Sequence, residues 1–180
     1  MENTNFIQTL EDRGIFLLSS EIETENTDKA IRFILERNII DVNKLPELKM
    51  IINSEGGEMT SAFGLIDIMN ASSIPISTHG IGQISSCALM IFMSGKKGRR
   101  FISKNTSILS HRYSWGSRGK EHELMARVKE YGLIANRIME HYKQYSGLSE
   151  EDITKYLLPP EDVWLSAEEA VKFGIADAII

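Results

Sequence analysis

The chain alternates short apolar runs with longer amphipathic runs, and this order limits the folds open to it. The segments predicted from residue spacing are strands at 14–18, 48–53 and 74–79, helices at 26–37, 60–70 and 86–93, and a hairpin through 99–110. A βαβα order of this kind favours a largely parallel sheet covered by helices. With 180 residues and no linker or repeat, the chain is expected to form one α/β domain over residues 1–180.

Ser86 stands where the third apolar strand gives way to a helix. At such a junction a serine hydroxyl is exposed, and the free N–H groups and positive dipole end of the helix face any negative charge that develops. The position is therefore typical of a hydrolytic nucleophile. The alternative is that Ser86 is simply a helix N-cap, which is a common place for serine.

A nucleophilic serine needs a base, and the base needs an acid that orients it. His111 ends the strand-like run 106–110, and Asp162 precedes a short run that leads into a helix beginning at Ser166. The alternatives are a buried imidazole bonded to backbone for His111, and a solvated loop acid or cap for Asp162. The paired glycines Gly56 and Gly57 follow another buried strand and allow backbone N–H groups to approach a substrate closely.

These segments resemble the Clp protease proteolytic subunits, the ClpP family, from about Arg13 to Ala178. The four motifs that carry the resemblance occur in the family's order and are Ile52-Asn53-Ser54-Glu55-Gly56-Gly57, Gly82-Gln83-Ile84-Ser85-Ser86, Ser110-His111-Arg112 and the closing run from Asp162 to Asp177. The resemblance implies a ClpP/crotonase-like spiral of ββα units. It also implies a protruding handle helix, in a segment covering about 112–146.

The resemblance further implies a role for each site residue. Ser86 would be the nucleophile, His111 the general base and then acid, and Asp162 the group that orients the imidazole. The backbone N–H groups of Gly57 and Cys87 would form the oxyanion hole. The implied activity is that of a serine endopeptidase that cleaves unfolded polypeptides and peptides. The alternatives are a catalytically weak or inactive ClpP-like ring subunit, or a crotonase-like acyl-CoA enzyme, and neither of these needs a complete triad.

The partners implied by the resemblance are further copies of the chain, in two stacked heptameric rings, and an AAA+ unfoldase of the Clp type. The unfoldase uses ATP, so no cofactor is expected in this subunit, and co-assembly with other ClpP subunits is allowed. The first short helix is expected at about 5–12, which leaves residues 1–4 for the loop that lines the axial pore in this family. We therefore expect weakened docking of the ATPase and a less gated pore.

A single long helix is predicted over 120–145, because apolar residues recur there at three- and four-residue spacing. Its apolar stripe includes Ile134 and Ile138. In the ClpP family this segment interlocks with the opposing ring, which assigns the stripe to an oligomer interface. The alternative is an ordinary helix that lies across the sheet of its own domain.

The chain departs from the family pattern at Glu55 and at Cys87-Ala88, which replaces the family's Met-Gly after the nucleophile. Glu55 replaces a proline in the glycine turn and brings a carboxylate near a site that must stabilise negative charge. Cys87 follows Ser86 and is an alternative nucleophile by position. In a helix starting at Ser86, however, its side chain points about 100° away, which favours a small buried hydrophobe.

The composition argues against several partners and locations. A net charge of −5 argues against nucleic acid as a partner, and the basic stretch 96–100 is expected to be a solvated hairpin tip. No apolar run reaches the roughly 18 residues of a membrane span, and the polar N-terminus does not resemble a signal peptide. The single cysteine suggests a reducing compartment. Together, these features predict a cytoplasmic protein.

No metal site is predicted, because His79, His122 and His141 are scattered without cysteines or paired acids at ligand spacing. Both His122 and His141 are expected to be exposed residues of helices, and the position of His79 near a strand end leaves its role open.

Overall fold

A computed structural model of the chain describes residues 9–41 and 44–180. The predicted pore-loop residues 1–4, and half of the first helix predicted at 5–12, lie outside the described residues. Within them, a short 3₁₀ helix covers Glu11–Arg13. The other predicted helices and strands fall within the described ranges.

Seven strands and six α-helices follow this 3₁₀ helix in the described part of the chain. The strands are β1 (Ile15–Leu18), β2 (Leu48–Ser54), β3 (Ile76–Ser85), β4 (Arg100–Ile102), β5 (Ser107–Ser110), β6 (Val163–Leu165) and β7 (Ala178–Ile179). The helices are α1 (Thr24–Ile40), α2 (Met59–Ala71), α3 (Cys87–Met93), α4 (Glu121–Ser146), α5 (Glu150–Tyr156) and α6 (Ala167–Lys172).

The strands form one mixed sheet that is mainly parallel. The order of its main strands is β1-β2-β3-β4-β7. Strand β5 joins the sheet by pairing with the second half of β3, and β6 pairs antiparallel with β5. Since parallel strands need crossover connections, the helices between them cover the sheet. The predicted α/β class is confirmed.

The predicted hairpin through 99–110 is wrong. Strand β4 pairs with the first half of β3 and β5 pairs with its second half, and both run parallel to it. The carbonyl of Gly80 in β3 accepts hydrogen bonds from the Ser103 N–H at 2.9 Å and the Thr106 hydroxyl at 3.1 Å. These bonds hold the connection alongside β3, so that the chain continues forward instead of reversing.

Helix α3 lies at the centre of the core. All seven of its residues are buried, as expected for a helix that is apolar all round. It begins directly after Ser86, which follows the last residue of β3. The position of Ser86 is thus fixed between the end of β3 and a completely buried helix.

The basic stretch 96–100 is only partly the solvated tip that its composition indicates. Arg99 pairs with Glu47 at the surface, but Arg100 is completely buried. Its guanidinium donates to both carboxylate oxygens of Asp177, at 2.6 and 3.0 Å, and to the Tyr145 carbonyl at 3.0 Å. Arg100 therefore connects β4 both to the last turn of α4, through Tyr145, and to the segment before β7, through Asp177.

The long helix predicted at 120–145 is confirmed as α4, but its apolar stripe is divided between two environments. Ile134 and Ile138, expected at an oligomer interface, are buried in the chain's own core. The first half of α4 is exposed, including the side chains of Met125 and Val128. The apolar surface available to another copy is therefore in the first half of the helix.

His141 is buried, which contradicts the prediction that it is an exposed helix residue. Its Nε2 lies 3.0 Å from the carbonyl oxygen of Met90 in α3, so this nitrogen is the donor. Burial lowers the pKa of His141 to about 4, although the bond to Met90 acts in the opposite direction. The imidazole is thus a neutral connection between α4 and the core helix.

Within residues 9–41 and 44–180, no three His, Cys, Asp or Glu side chains lie together as metal ligands would. In the same ranges, no helix combines the length and the apolar composition that crossing a membrane requires.

Candidate active site

Ser86 has a backbone conformation that is rare for its residue type. Its φ is +56° and its ψ −129°, and among the described residues it is the only non-glycine residue with a positive φ. Such strain is typical of functional sites. The Ser86 N–H donates to the Leu109 carbonyl at 3.0 Å, which ties the residue to β5. Ser86 stands at the N-cap position of α3, but its side chain makes no capping hydrogen bond.

The glycine turn after β2 packs directly against Ser86. A Cβ atom on Gly56 would lie 2.7 Å from the Ser86 Cβ, so only glycine fits at this position. Next to it, Gly57 forms a β-bridge with Ile22. The Ile22 N–H donates to the Gly56 carbonyl, and the Ile22 carbonyl accepts a hydrogen bond from the Glu58 N–H. Because the C=O and N–H of a trans peptide point in opposite directions, the Gly57 N–H points away from Ile22, and Gly57 is among the residues that line the cavity beside Ser86.

Two polar residues of β2 support this turn and the strand end beside it. The Ser54 hydroxyl accepts a hydrogen bond from the Gly56 N–H at 3.1 Å inside the protein. The Asn53 side chain accepts from the Gln83 N–H at 3.0 Å, next to Gly82, which has a φ of +60°. The motifs predicted to carry the site therefore contact each other.

His111 follows β5, and its neighbours on both sides are anchored. The Ser110 hydroxyl donates to the Leu157 carbonyl at 2.6 Å, and the Arg112 side chain donates to the Leu158 carbonyl at 2.8 Å. Leu157 and Leu158 end the α5 region and lead towards Asp162. The segment that carries the predicted acid is thereby attached to the segment that carries the predicted base.

The register of β5 and β6 also relates the position of Asp162 to that of His111. Strands β5 and β6 are antiparallel, with Ser110 opposite Val163. Continuing this register by one residue puts His111 opposite Asp162, where Cβ atoms are typically about 5 Å apart. Asp162 is exposed, and His111 is half-buried.

Four of the five predicted site residues line one cavity of about 110 Å³, namely Ser86, His111, Gly57 and Cys87. Asp162 is outside its lining. Among the hydrogen bonds of the described residues, none joins the side chains of Ser86, His111 and Asp162 to one another. Ser86 and His111 therefore share one cavity, and within the described ranges no hydrogen bond connects their side chains to each other or to that of Asp162.

Comparison with known proteins agrees with this geometry. A family model described as Clp protease matches residues 1–180. The chain belongs to the Clp protease family. It is also 28% identical, over 176 residues, to the ATP-dependent Clp protease proteolytic subunit of Deinococcus radiodurans. That match covers 97% of this chain and 83% of the relative. Membership of the Clp protease family makes the chain a serine-type peptidase, which is a hydrolase.

Cys87 of this Clp protease family member has an unreactive thiol. Burial raises its pKa to about 12, although the N–H groups of Gly57, Cys87 and Ala88 act in the opposite direction. Since the thiolate is the reactive form, this sulfur is a poor nucleophile at neutral pH. The prediction of a small buried hydrophobe is confirmed.

Glu55, the departure from the Clp protease pattern in the glycine turn, is exposed. It is absent from the residues that line the cavity beside Ser86. Its carboxylate therefore does not face the space where an oxyanion would form.

The apolar wall of the cavity was not predicted from the sequence. The wall is formed by Met59, Met90, Tyr113, Ile138 and Tyr142. A signal for Tyr113 was present, because residues two apart in an extended segment face the same side and Tyr113 follows His111 by two. Tyr142 carried no local signal: it comes from α4, where its hydroxyl lies 2.8 Å from that of Ser110.

Proposed function

We propose that the chain hydrolyses polypeptides through a triad of Ser86, His111 and Asp162, with the N–H groups of Gly57 and Cys87 as the oxyanion hole. The observation that carries the proposal is the conformation of Ser86. A serine with a positive φ between a strand and a buried helix, with its hydroxyl not used for capping, is typical of a nucleophile on a strained turn.

In the proposed reaction, His111 takes the proton of the Ser86 hydroxyl while the serine oxygen attacks the scissile carbonyl. The electron pair moves to the carbonyl oxygen, which accepts hydrogen bonds from the two N–H groups. The imidazolium then gives its proton to the leaving amine as the C–N bond breaks. Water attacks the resulting ester, His111 again takes a proton, and this proton returns to the Ser86 oxygen as the acid is released.

Asp162 would hold the His111 ring in the tautomer that accepts the serine proton. The register between β5 and β6 supports this pairing, because its continuation by one residue beyond Ser110 and Val163 would set the two residues opposite each other. Forming the triad requires hydrogen bonds between Ser86 and His111 and between His111 and Asp162, and neither is present among the described residues. Catalytic hydrogen bonds often tighten only when substrate binds, so an unconnected triad in the free chain is compatible with activity.

The proposed working form is an oligomer, with two stacked heptameric rings that enclose the active sites. The exposed first half of α4, with Met125 and Val128, supports a contact between copies. We further propose that a Clp-type ATPase unfolds substrates and threads them into the rings with its own ATP, and that the subunit itself needs no cofactor.

The decisive experiment is intact mass spectrometry after treatment with a serine-directed fluorophosphonate. We expect one adduct on the wild type and none on Ser86→Ala, and parallel loss of cleavage of a fluorogenic peptide in Ser86→Ala. A Ser86→Ala variant that still cleaves the peptide at the wild-type rate would contradict the triad assignment.

A second candidate function is a catalytically weak or inactive ring subunit. The lack of hydrogen bonds among the three triad side chains favours it. Labelling separates the two candidates: an inactive subunit would assemble but would not react with the fluorophosphonate. The test should be made on the assembled protein, because ring contacts could bring the triad into register.

A further inference from the structure

Tyr113 occupies an unusual place beside the catalytic cavity. It belongs to the non-helical segment between β5 and α4, and its half-buried ring stacks on Tyr131 of α4 with 5.7 Å between ring centres. Trp115 packs on the same Tyr131 ring, at 5.4 Å. The segment that follows His111 is thus held on the chain's own long helix by aromatic contacts.

A second cavity, of about 210 Å³, lies behind Tyr113 between α4 and α5. Tyr113 and Ile138 line both this cavity and the catalytic one, so these two side chains form the wall between them. Apart from Arg112 and Thr154, the rest of the lining of the second cavity is apolar or aromatic, namely Tyr131, Ala135, Met139 and Leu158. Such a lining suits a large apolar group.

The volumes indicate what each cavity accepts. A dry apolar cavity of about 150 Å³ is enough to hold a benzene molecule. The catalytic cavity, at about 110 Å³, is smaller than this, and the second cavity is larger. Because the catalytic cavity adjoins Ser86 and the oxyanion N–H groups, it receives the substrate side chain that immediately precedes the scissile bond.

We infer that Tyr113 determines substrate specificity by separating these cavities, an inference that rests on the proposed function. With Tyr113 in place, the enzyme accepts small apolar side chains such as alanine before the scissile bond. Without its ring, the two cavities join and admit a large apolar side chain such as phenylalanine. Ile138 forms the fixed part of the wall, since it is buried in the core on α4, whereas Tyr113 lies on a segment without regular structure.

The test compares kcat/KM for three fluorogenic peptides that differ only in having Ala, Leu or Phe before the scissile bond. We expect the wild type to favour Ala over Phe by about tenfold or more, the range that a mismatched pocket produces. Tyr113→Ala should raise the ratio of kcat/KM for the Phe peptide to kcat/KM for the Ala peptide by about tenfold or more. Adding Ala135→Leu to this variant fills the second cavity, so it should return the relative kcat/KM for the Phe peptide to the wild-type value.

Two matched variants control for indirect effects. Tyr113→Phe keeps the ring and should retain the wild-type order of peptides. Trp115→Ala weakens the stacking on Tyr131 without opening the wall, and should also retain this order. If Tyr113→Ala is insoluble, Tyr113→Leu serves as the shortened variant, with the same direction of change expected.

Fluorophosphonate labelling of Ser86, run in parallel, distinguishes a failure of the proposed function from a failure of the role assigned to Tyr113. A folded wild type that is not labelled refutes the proposed function. If the wild type is labelled but the shortened Tyr113 variant keeps the wild-type order of peptides, the role of Tyr113 is refuted and the proposed function is not. A wild type that prefers Phe, or an equal fall for all three peptides in Tyr113→Ala, also refutes that role.

Discussion

Replacing Asp177 with Asn should destabilise the chain strongly, because it removes the negative charge that faces the buried Arg100. The Arg100 side chain is 1% exposed, and the Asp177 side chain 14%. Asp177 accepts hydrogen bonds from the guanidinium and also from the backbone N–H groups of Gly98, at 2.7 Å, and Arg100, at 2.9 Å. In the variant, an amide NH₂ takes the position of one carboxylate oxygen and faces these donors.

The expected loss is about 3 kcal/mol. Removing one member of a buried ion pair costs roughly 3–5 kcal/mol, and the lower end applies because Asp177 is partly exposed and Asn keeps one acceptor oxygen. For a chain of this size, each kcal/mol shifts Tm by roughly 2–4 °C, so Tm should fall by about 6–12 °C. With an m-value of about 2 kcal/mol/M, the urea midpoint should fall by about 1.5 M.

The same pair predicts how stability depends on pH. Burial raises the pKa of Asp177, but the hydrogen bonds from Arg100 and Gly98, with the Arg100 charge, outweigh this effect and hold the pKa below its ordinary value. A carboxylate with a lowered pKa stabilises the fold above its unfolded pKa of about 3.9, and this stabilisation is lost as the pH falls through the folded value. Asp177→Asn should therefore lose less stability relative to wild type at pH 3 than at pH 7.

Urea unfolding followed by circular dichroism, at one protein concentration for all variants, measures these changes. Glu47→Gln is the matched control, because it breaks the exposed pair with the neighbouring Arg99, and a loss below about 1 kcal/mol is expected. Arg100→Met combined with Asp177→Asn should be more stable than Asp177→Asn alone, since no unpaired charge remains. A loss in Asp177→Asn no larger than in Glu47→Gln would refute the reasoning.

Three further predictions concern the site and the assembly. Asp162→Asn should lower kcat/KM for a fluorogenic peptide by about 10⁴-fold through the wrong imidazole tautomer, and a change below tenfold would exclude Asp162 as the orienting acid. Met125→Lys with Val128→Lys should leave circular dichroism unchanged but reduce the oligomer to smaller species in native mass spectrometry, whereas Ile134→Lys, which buries a charge, should unfold the chain. Glu55→Gln should change turnover by less than about twofold, as for other surface positions, and a larger rise would show that the carboxylate acts on the oxyanion.

Periodicity located most helices and strands but not the partners of their faces. Helix α4 shows why: its apolar residues follow one repeat throughout, yet Ile134 is buried in the chain's own core and Val128 is exposed. A repeat reports which residues share a face, and it contains no information on what covers that face. The hairpin error has a similar origin, because β4 and β5 both pair with β3, which is long enough for two partners in succession.

Buried polar residues were the second type of error. Arg100 and His141 were assigned to the surface because such side chains are rarely buried without partners. Their partners are distant in sequence: Asp177 is 77 residues from Arg100, and Met90 is 51 residues from His141. No local pattern reveals such a pair. The candidate site was easier to predict, because its residues lie at strand ends. In a parallel sheet the carboxyl ends of the strands lie at the same edge, so residues that follow them come close together.

The strain at Ser86 and the glycine turn depend on each other. A positive φ at a serine costs roughly 1–3 kcal/mol and persists only if its surroundings impose it. Here the bond to Leu109 and the buried helix α3 hold the backbone of Ser86, while Gly56 leaves the space that its Cβ needs. Any side chain at position 56 would press on Ser86 Cβ and on the Ser85 carbonyl, which would lie 2.8 Å away. The absence of a side chain at Gly56 therefore permits the strained conformation of Ser86 beside the cavity.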